Sequence, residues 1–178
     1  MAYSSIVQPY VDALNRILNT TVSESRLSTV EGFDPTVYVI TRFENRQLLP
    51  LELRGGKWLY FRQLVTEEGD QLNVLEARYV CSASDDPDAE AHHHFRWEYL
   101  REPPTPQVPY GHLHVYAGDL QRIHFPTRRL SLEQILWLLI QEWGVSPRDP
   151  NWYEILKAGH LDFLRPTQAS EQQLQPFP

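Results

Sequence analysis

From residue 36 onward the apolar residues stop recurring every three to four positions and begin to alternate. With short breaks they keep alternating to about residue 125. A period of two is the signature of strands, whose side chains point to opposite faces in turn. The breaks are short and carry turn residues. Successive strands so joined must return beside one another, which makes the sheet antiparallel.

The runs follow in order. Thr36 to Glu44 alternates Val37, Val39, Thr41 and Phe43 against Tyr38, Ile40 and Arg42. Leu48 to Leu53 is a second short strand, where Pro50 predicts an edge or a bulge. Gly55-Gly56 is a hairpin signal before Lys57 to Thr66, and Glu67 to Gln71 is the next turn. Leu72 to Ser84 is a long strand with Leu75, Ala77, Tyr79, Cys81 and Ala83 on one face, Glu76 and Arg78 on the other. After an acidic loop at 85–90, His92 to Arg101 divides into Phe95, Trp97 and Tyr99 against His92, His94, Arg96 and Glu98. Four prolines (103, 104, 106 and 109) make an extended connection. Beyond it Leu113, Val115 and Ala117 face one way; His112, His114 and Tyr116 face the other. Ala117-Gly118-Asp119 is a turn, and Arg122 to Phe125 reads as the last strand.

Helices flank this region. Residues 5–19 read as one, with Pro9 tolerable only in its first turn and Tyr10 to Leu18 carrying the apolar stripe. Residues 19–35 read as loop. Ser131-Leu132-Glu133-Gln134 has the spacing of a capping box, followed by an apolar stripe of Leu132, Ile135, Leu136, Leu139, Ile140 and Trp143 that Gly144 ends. A last helix starts at Pro150 or Asn151 and ends before Pro166. With 178 residues the chain can bury one core but is short for two. The expectation is a single α+β domain over residues 1–166, an antiparallel meander covered on one face by N- and C-terminal helices. Residues 167–178 are read as a loose tail.

Charge and composition exclude several classes. The net charge of −7 opposes a general nucleic-acid scaffold, leaving nucleic acid possible as a substrate only. Arg122, Arg128 and Arg129 could reach a phosphate, but solvated balancing of nearby helix acids is the favoured reading. A single cysteine, Cys81, precludes an intramolecular disulfide and a cysteine-based zinc cluster, and its strand position predicts a buried, inert thiol. The first residues lack a basic and an apolar region of a leader, and no apolar run is long enough to span a membrane. A cytoplasmic protein without membrane contact is expected.

If the two histidine-bearing strands pair, Arg96, Glu98, His112 and His114 share one face, with His92 and His94 at its edge. Glu76 and Arg78 join them if the preceding strand lies alongside, and His93 packs with the aromatics. Histidine titrates near neutral pH and can take or give a proton. A carboxylate beside it orients it, and an arginine stabilises developing negative charge. Charge pairing across a solvated sheet face is the rival explanation. A metal held by His112, His114 and His124 is the minority reading, because the positions after the second histidine that would supply a carboxylate are Ala117 and Gly118. His112-Leu113-His114-Val115-Tyr116 also begins like a histidine-triad nucleotide-hydrolase motif, yet tyrosine occupies the third histidine's place.

Phe95-Arg96-Trp97-Glu98, a proline-bearing connection, His112-Leu113-His114-Val115 and the leucine-rich Ser131 to Leu136 segment together resemble the TumE-like toxin family of prokaryotic toxin–antitoxin pairs. The likeness covers about residues 72 to 143. Where that family has a Pro-His-His step, this chain has Arg101-Glu102-Pro103-Pro104. The resemblance implies a small cytosolic protein working with a cognate partner. The leading expectation is a toxin-like protein that attacks RNA or another nucleotide-bearing target, as a metal-independent ribonuclease without a cofactor, with His112 or His114 as general acid or base, Glu98 to orient it and Arg96 to stabilise the phosphate charge. The alternative is a non-catalytic protein-interaction domain presenting Tyr110, Trp152 and Tyr153.

Overall fold

The computed structural model describes residues 6–31, 34–86 and 88–164. Helix α1 (Val7–Thr21) is followed by β1 (Ser28–Glu31), β2 (Val37–Glu44), β3 (Gln47–Leu49), β4 (Leu51–Leu53), β5 (Lys57–Glu68) and β6 (Gln71–Ser82). Then come β7 (His93–Leu100), β8 (Gly111–Val115), β9 (Phe125–Thr127), α2 (Leu132–Gln141) and α3 (Trp152–Leu164). Every strand pair is antiparallel. The strand order is β1-β2-β5-β6-β7-β8-β9, with β3 on β2 and β4 on β5. This is the α+β meander that alternation predicts. No described helix is long and apolar enough to cross a membrane.

All three helices contribute to one core with a single face of the sheet. From α1 come Val7, Val11, Leu14 and Leu18; from the sheet Ile40, Leu59, Phe61, Ala77, Tyr79 and Cys81. Leu132, Ile135, Leu136 and Leu139 of α2 complete it with Leu156 of α3. The capping box at the start of α2 is formed in both directions: Ser131 Oγ accepts from the Gln134 amide and the Gln134 side chain accepts from the Ser131 amide. Cys81 is fully buried and burial pushes its thiol pKa up, as expected of an inert core thiol.

A buried polar chain crosses this core. Tyr10 Oη donates to Gln63 Oε1 at 2.9 Å, Gln63 Nε2 donates to Tyr79 Oη at 3.2 Å, and Tyr79 Oη donates to the Leu130 carbonyl at 3.3 Å. Gln63 therefore sits on the core face without an unmet amide. α1 and α3 approach closely where α3 carries Gly159: a Cβ there would lie 2.5 Å from Ile17 Cδ1.

The structure corrects the strand reading in four places. Ser28–Glu31 is an edge strand within the segment expected to be loop, because Asn15 of α1 bonds the Leu27 amide and carbonyl and extends the chain beside β2. Pro50 splits the expected strand 48–53 into β3 and β4, which pair with different neighbours. The last strand lies at Phe125–Thr127, while Gly118–Arg122 forms a 3₁₀ turn. In β6 the register against β5 skips Leu75, so the buried residues before it are Leu72 and Val74, and the expected core position of Leu75 is lost to a bulge. The expected tail, 167–178, lies outside the described residues.

Candidate acid–base and metal site

Three adjacent strands place the charged residues in rows. Arg78, Glu98 and His112 are register partners across β6, β7 and β8; Val80, Arg96 and His114 form the next row. Arg96, Glu98, His112 and His114 thus share the face opposite the helices, and Arg78 joins them. Glu76 turns aside to pair with Arg62 at 3.2 Å.

Glu98 is the centre. Its Oε1 lies 2.6 Å from Arg78 Nε, and its Oε2 lies 3.2 Å from Arg96 Nε and 3.3 Å from the Nε2 atoms of both His112 and His114. Only the His112 contact has hydrogen-bond geometry; Arg78 Nε, Arg96 Nε and His114 Nε2 are held as charge or dipole neighbours off the bonding direction. His112 is also fixed from its other side, with Nδ1 2.9 Å from the Pro109 carbonyl oxygen. A carbonyl can only accept, so Nδ1 donates to Pro109; an ionised carboxylate can also only accept, so Nε2, the nitrogen turned to the site, donates to Glu98 in that hydrogen bond. The last proline of the connection thereby orients a site histidine.

Burial divides these groups. The side chains of Glu98, His112 and His114 are 8%, 2% and 7% exposed, whereas Arg78 and Arg96 are 42% and 26% exposed. Burial raises the Glu98 pKa, but the His112 hydrogen bond and the two guanidinium charges outweigh it and hold the carboxyl at about 2. Burial, and then the Arg96 charge, lower the His114 pKa.

His124, exposed, completes a histidine cluster. Its ring centroid is 4.9 Å from that of His112 and 4.5 Å from that of His114, and the latter two are 5.0 Å apart. One ligand nitrogen from each of the three lies within 4.8 Å of the others. These are the residues that could hold a metal. His124 lies between a 3₁₀ turn and a short strand, where no periodicity signals its direction.

The remaining histidines divide differently from expectation. Against β6, the register skips His94, so this bulge sends His94 toward Trp143 of the helix side, ring centroids 5.0 Å apart. His94 therefore leaves the charged face. His93 packs with aromatics as expected, but on that charged face, between Tyr60 at 5.9 Å and Tyr116 at 5.3 Å. His92 lies in a 3₁₀ turn before β7. His160 belongs to the helix interface, its Nδ1 2.9 Å from Ser131 Oγ.

Two further expectations change. Arg129 is buried rather than solvated, its guanidinium 5.1 Å over the Tyr99 ring; the Arg122 side chain lies outside the described residues. Trp152 and Tyr153 are half-buried, which leaves Tyr110, 63% exposed, as the open aromatic of the three. No family model matches the chain, and neither does any curated protein or solved structure.

Proposed function

We propose that the Glu98 cluster is an acid–base site for cleaving a phosphodiester, with RNA as substrate, in a toxin-like protein restrained by a cognate protein partner. The observation that carries this is a carboxylate with one oxygen 3.3 Å from two imidazoles and a partly exposed guanidinium group beside each of its two oxygens. The resemblance of the Phe95–Glu98 and His112–Val115 runs to TumE-like toxins supplies the biological setting.

In this reading His114 takes the proton from the ribose 2′-hydroxyl, since its lowered pKa favours the neutral imidazole. The 2′-oxygen attacks phosphorus, the bond to the 5′-oxygen breaks, and His112 returns a proton to that leaving oxygen. The products are a 2′,3′-cyclic phosphate and a 5′-hydroxyl. Arg96 and Arg78 balance the charge that gathers on the non-bridging oxygens, and Glu98 orients His112. His124 must turn aside to admit the phosphate, and its exposure permits that.

Incubation of the full chain with single-stranded RNA in the presence of a chelator tests the proposal. Cleavage leaving cyclic-phosphate ends is expected, with His114→Ala slower by about 10²–10⁴-fold. Expression of the wild type should also stall growth, while His112→Ala combined with His114→Ala should not. Intact RNA and unaffected growth with a correctly folded wild type would refute the reading and favour a protein-interaction domain.

A further inference from the structure

The geometry points to a second capacity of the same strands: His112, His114 and His124 form a binding site for a divalent first-row transition-metal ion, zinc being the representative. Imidazole nitrogen is a preferred donor for these ions, and three histidines with an open fourth position make a recurrent ligand set.

Four features of the structure support this. The ligand nitrogens of the three residues already lie within 4.8 Å of one another. Zinc–nitrogen bonds of about 2.0–2.1 Å in tetrahedral geometry require ligand separations of roughly 3.3–3.4 Å. Closure therefore asks for a modest inward turn, and His124, the exposed member, is free of the strand ladder and can make it. The three rings are nearly perpendicular to each other, with interplanar angles of 74°, 68° and 86°, so they stand around a common point rather than stacking.

His112 is also preset as a ligand. Its Nδ1–H is given to the Pro109 carbonyl, the usual outer support of a metal-bound histidine, and a metal at Nε2 would take the place of the hydrogen that Nε2 shares with Glu98. His114 Nε2 is buried and makes no hydrogen bond. A metal would supply that nitrogen with a partner, and a water molecule or Glu98 Oε2, 3.3 Å from both nitrogens, can fill the fourth position. Arg96 is the like-charged neighbour, but it is part-exposed and leans on the Tyr116 ring at 5.9 Å, so solvent screens it.

This inference does not rest on the cleavage reaction. A lone pair given to a metal is unavailable to a proton, so an occupied site would be silent in acid–base catalysis. The two proposals consequently fail separately: binding is measured directly, and cleavage is measured with chelator present.

The test uses the full chain stripped of metal. Titration with Zn²⁺ alone, followed by calorimetry, should show one equivalent bound, and Co²⁺ should develop the intense visible absorption of a tetrahedral site. His124→Ala, at an exposed position that leaves folding intact, should weaken Zn²⁺ binding by at least about 100-fold. His92→Ala, exposed and outside the cluster, should bind as the wild type does. Absence of stoichiometric binding, unchanged affinity in His124→Ala, or an equal loss in His92→Ala would each overturn the proposal.

Discussion

A carboxylate sealed almost completely from water stays ionised only where counter-charges or donors surround it, and Glu98 has two guanidinium groups and two imidazoles within 3.3 Å. Glu98→Gln keeps the shape but strips the charge that balances Arg78 and Arg96. We expect a loss of about 2–3 kcal/mol, less than for a fully sealed pair because both arginines reach solvent. Urea denaturation should show it as a lower midpoint with an unchanged slope. Arg78→Ala, at the more exposed partner, should cost no more than about 1 kcal/mol in the same measurement. Arg96, Glu98, His112 and His114 were legible because alternation assigns a face to every residue of an unbroken strand. His93 and His94 were not, since one bulge residue reverses the parity before Phe95. His124 carried no period at all.

Among the elements, α2 depends most on its first turn. Ser131 Oγ accepts from the Gln134 amide and contacts His160 Nδ1 at 2.9 Å, so Ser131→Ala should cost about 1–2 kcal/mol, visible as a lower Tm. Two residues on, Glu133 is fully buried and its pKa is pushed up to about 7 by burial. The folded value lies above the ordinary 4.5, so the folded state retains a proton that the unfolded chain releases. Its contribution to stability is complete below pH 4.5 and is lost as pH rises from there through about 7, flattening above. The change is on the order of 3 kcal/mol. Glu133→Gln should remove that slope, which denaturation midpoints at pH 5 and pH 8 would reveal. β9 depends on a close approach instead: a Cβ on Gly111 would lie 2.8 Å from the Thr127 carbonyl oxygen. Gly111→Ala should push β9 off β8, with a cost of about 1–3 kcal/mol. The helix stripe and capping box were legible because they are local; Glu133 on the buried side was not, because α3 covers it from far along the chain.

Across the whole molecule, protection should follow strand position. β5 and β6, twelve residues each, lie inside the sheet under the helices. β1 and β9, with four and three residues, are its edges, and Pro126 blunts one of them. Amide exchange should therefore be slowest at Leu59, Phe61, Ala77 and Tyr79 and fastest at the two edges. Equal protection at edge and centre would contradict this order. Sheet neighbours follow one another along the chain, apart from β2 and β5, which only the short β3 and β4 separate, and this is why alternation and turn residues predicted the antiparallel α+β architecture.

By itself the sequence determined the class of fold, the start of α2, the face on which Arg96, Glu98, His112 and His114 stand, and the inert burial of Cys81. These follow from periods and signals that span a few residues. Only the tertiary structure decided that Arg78 completes the Glu98 cluster, that Pro109 orients His112, that His124 joins His112 and His114, and that His94 leaves the charged face. Each of those depends on strand register, on a single bulge or on a segment folding back from outside the sheet. Such relations are set by packing between residues distant in the chain, which no local pattern records.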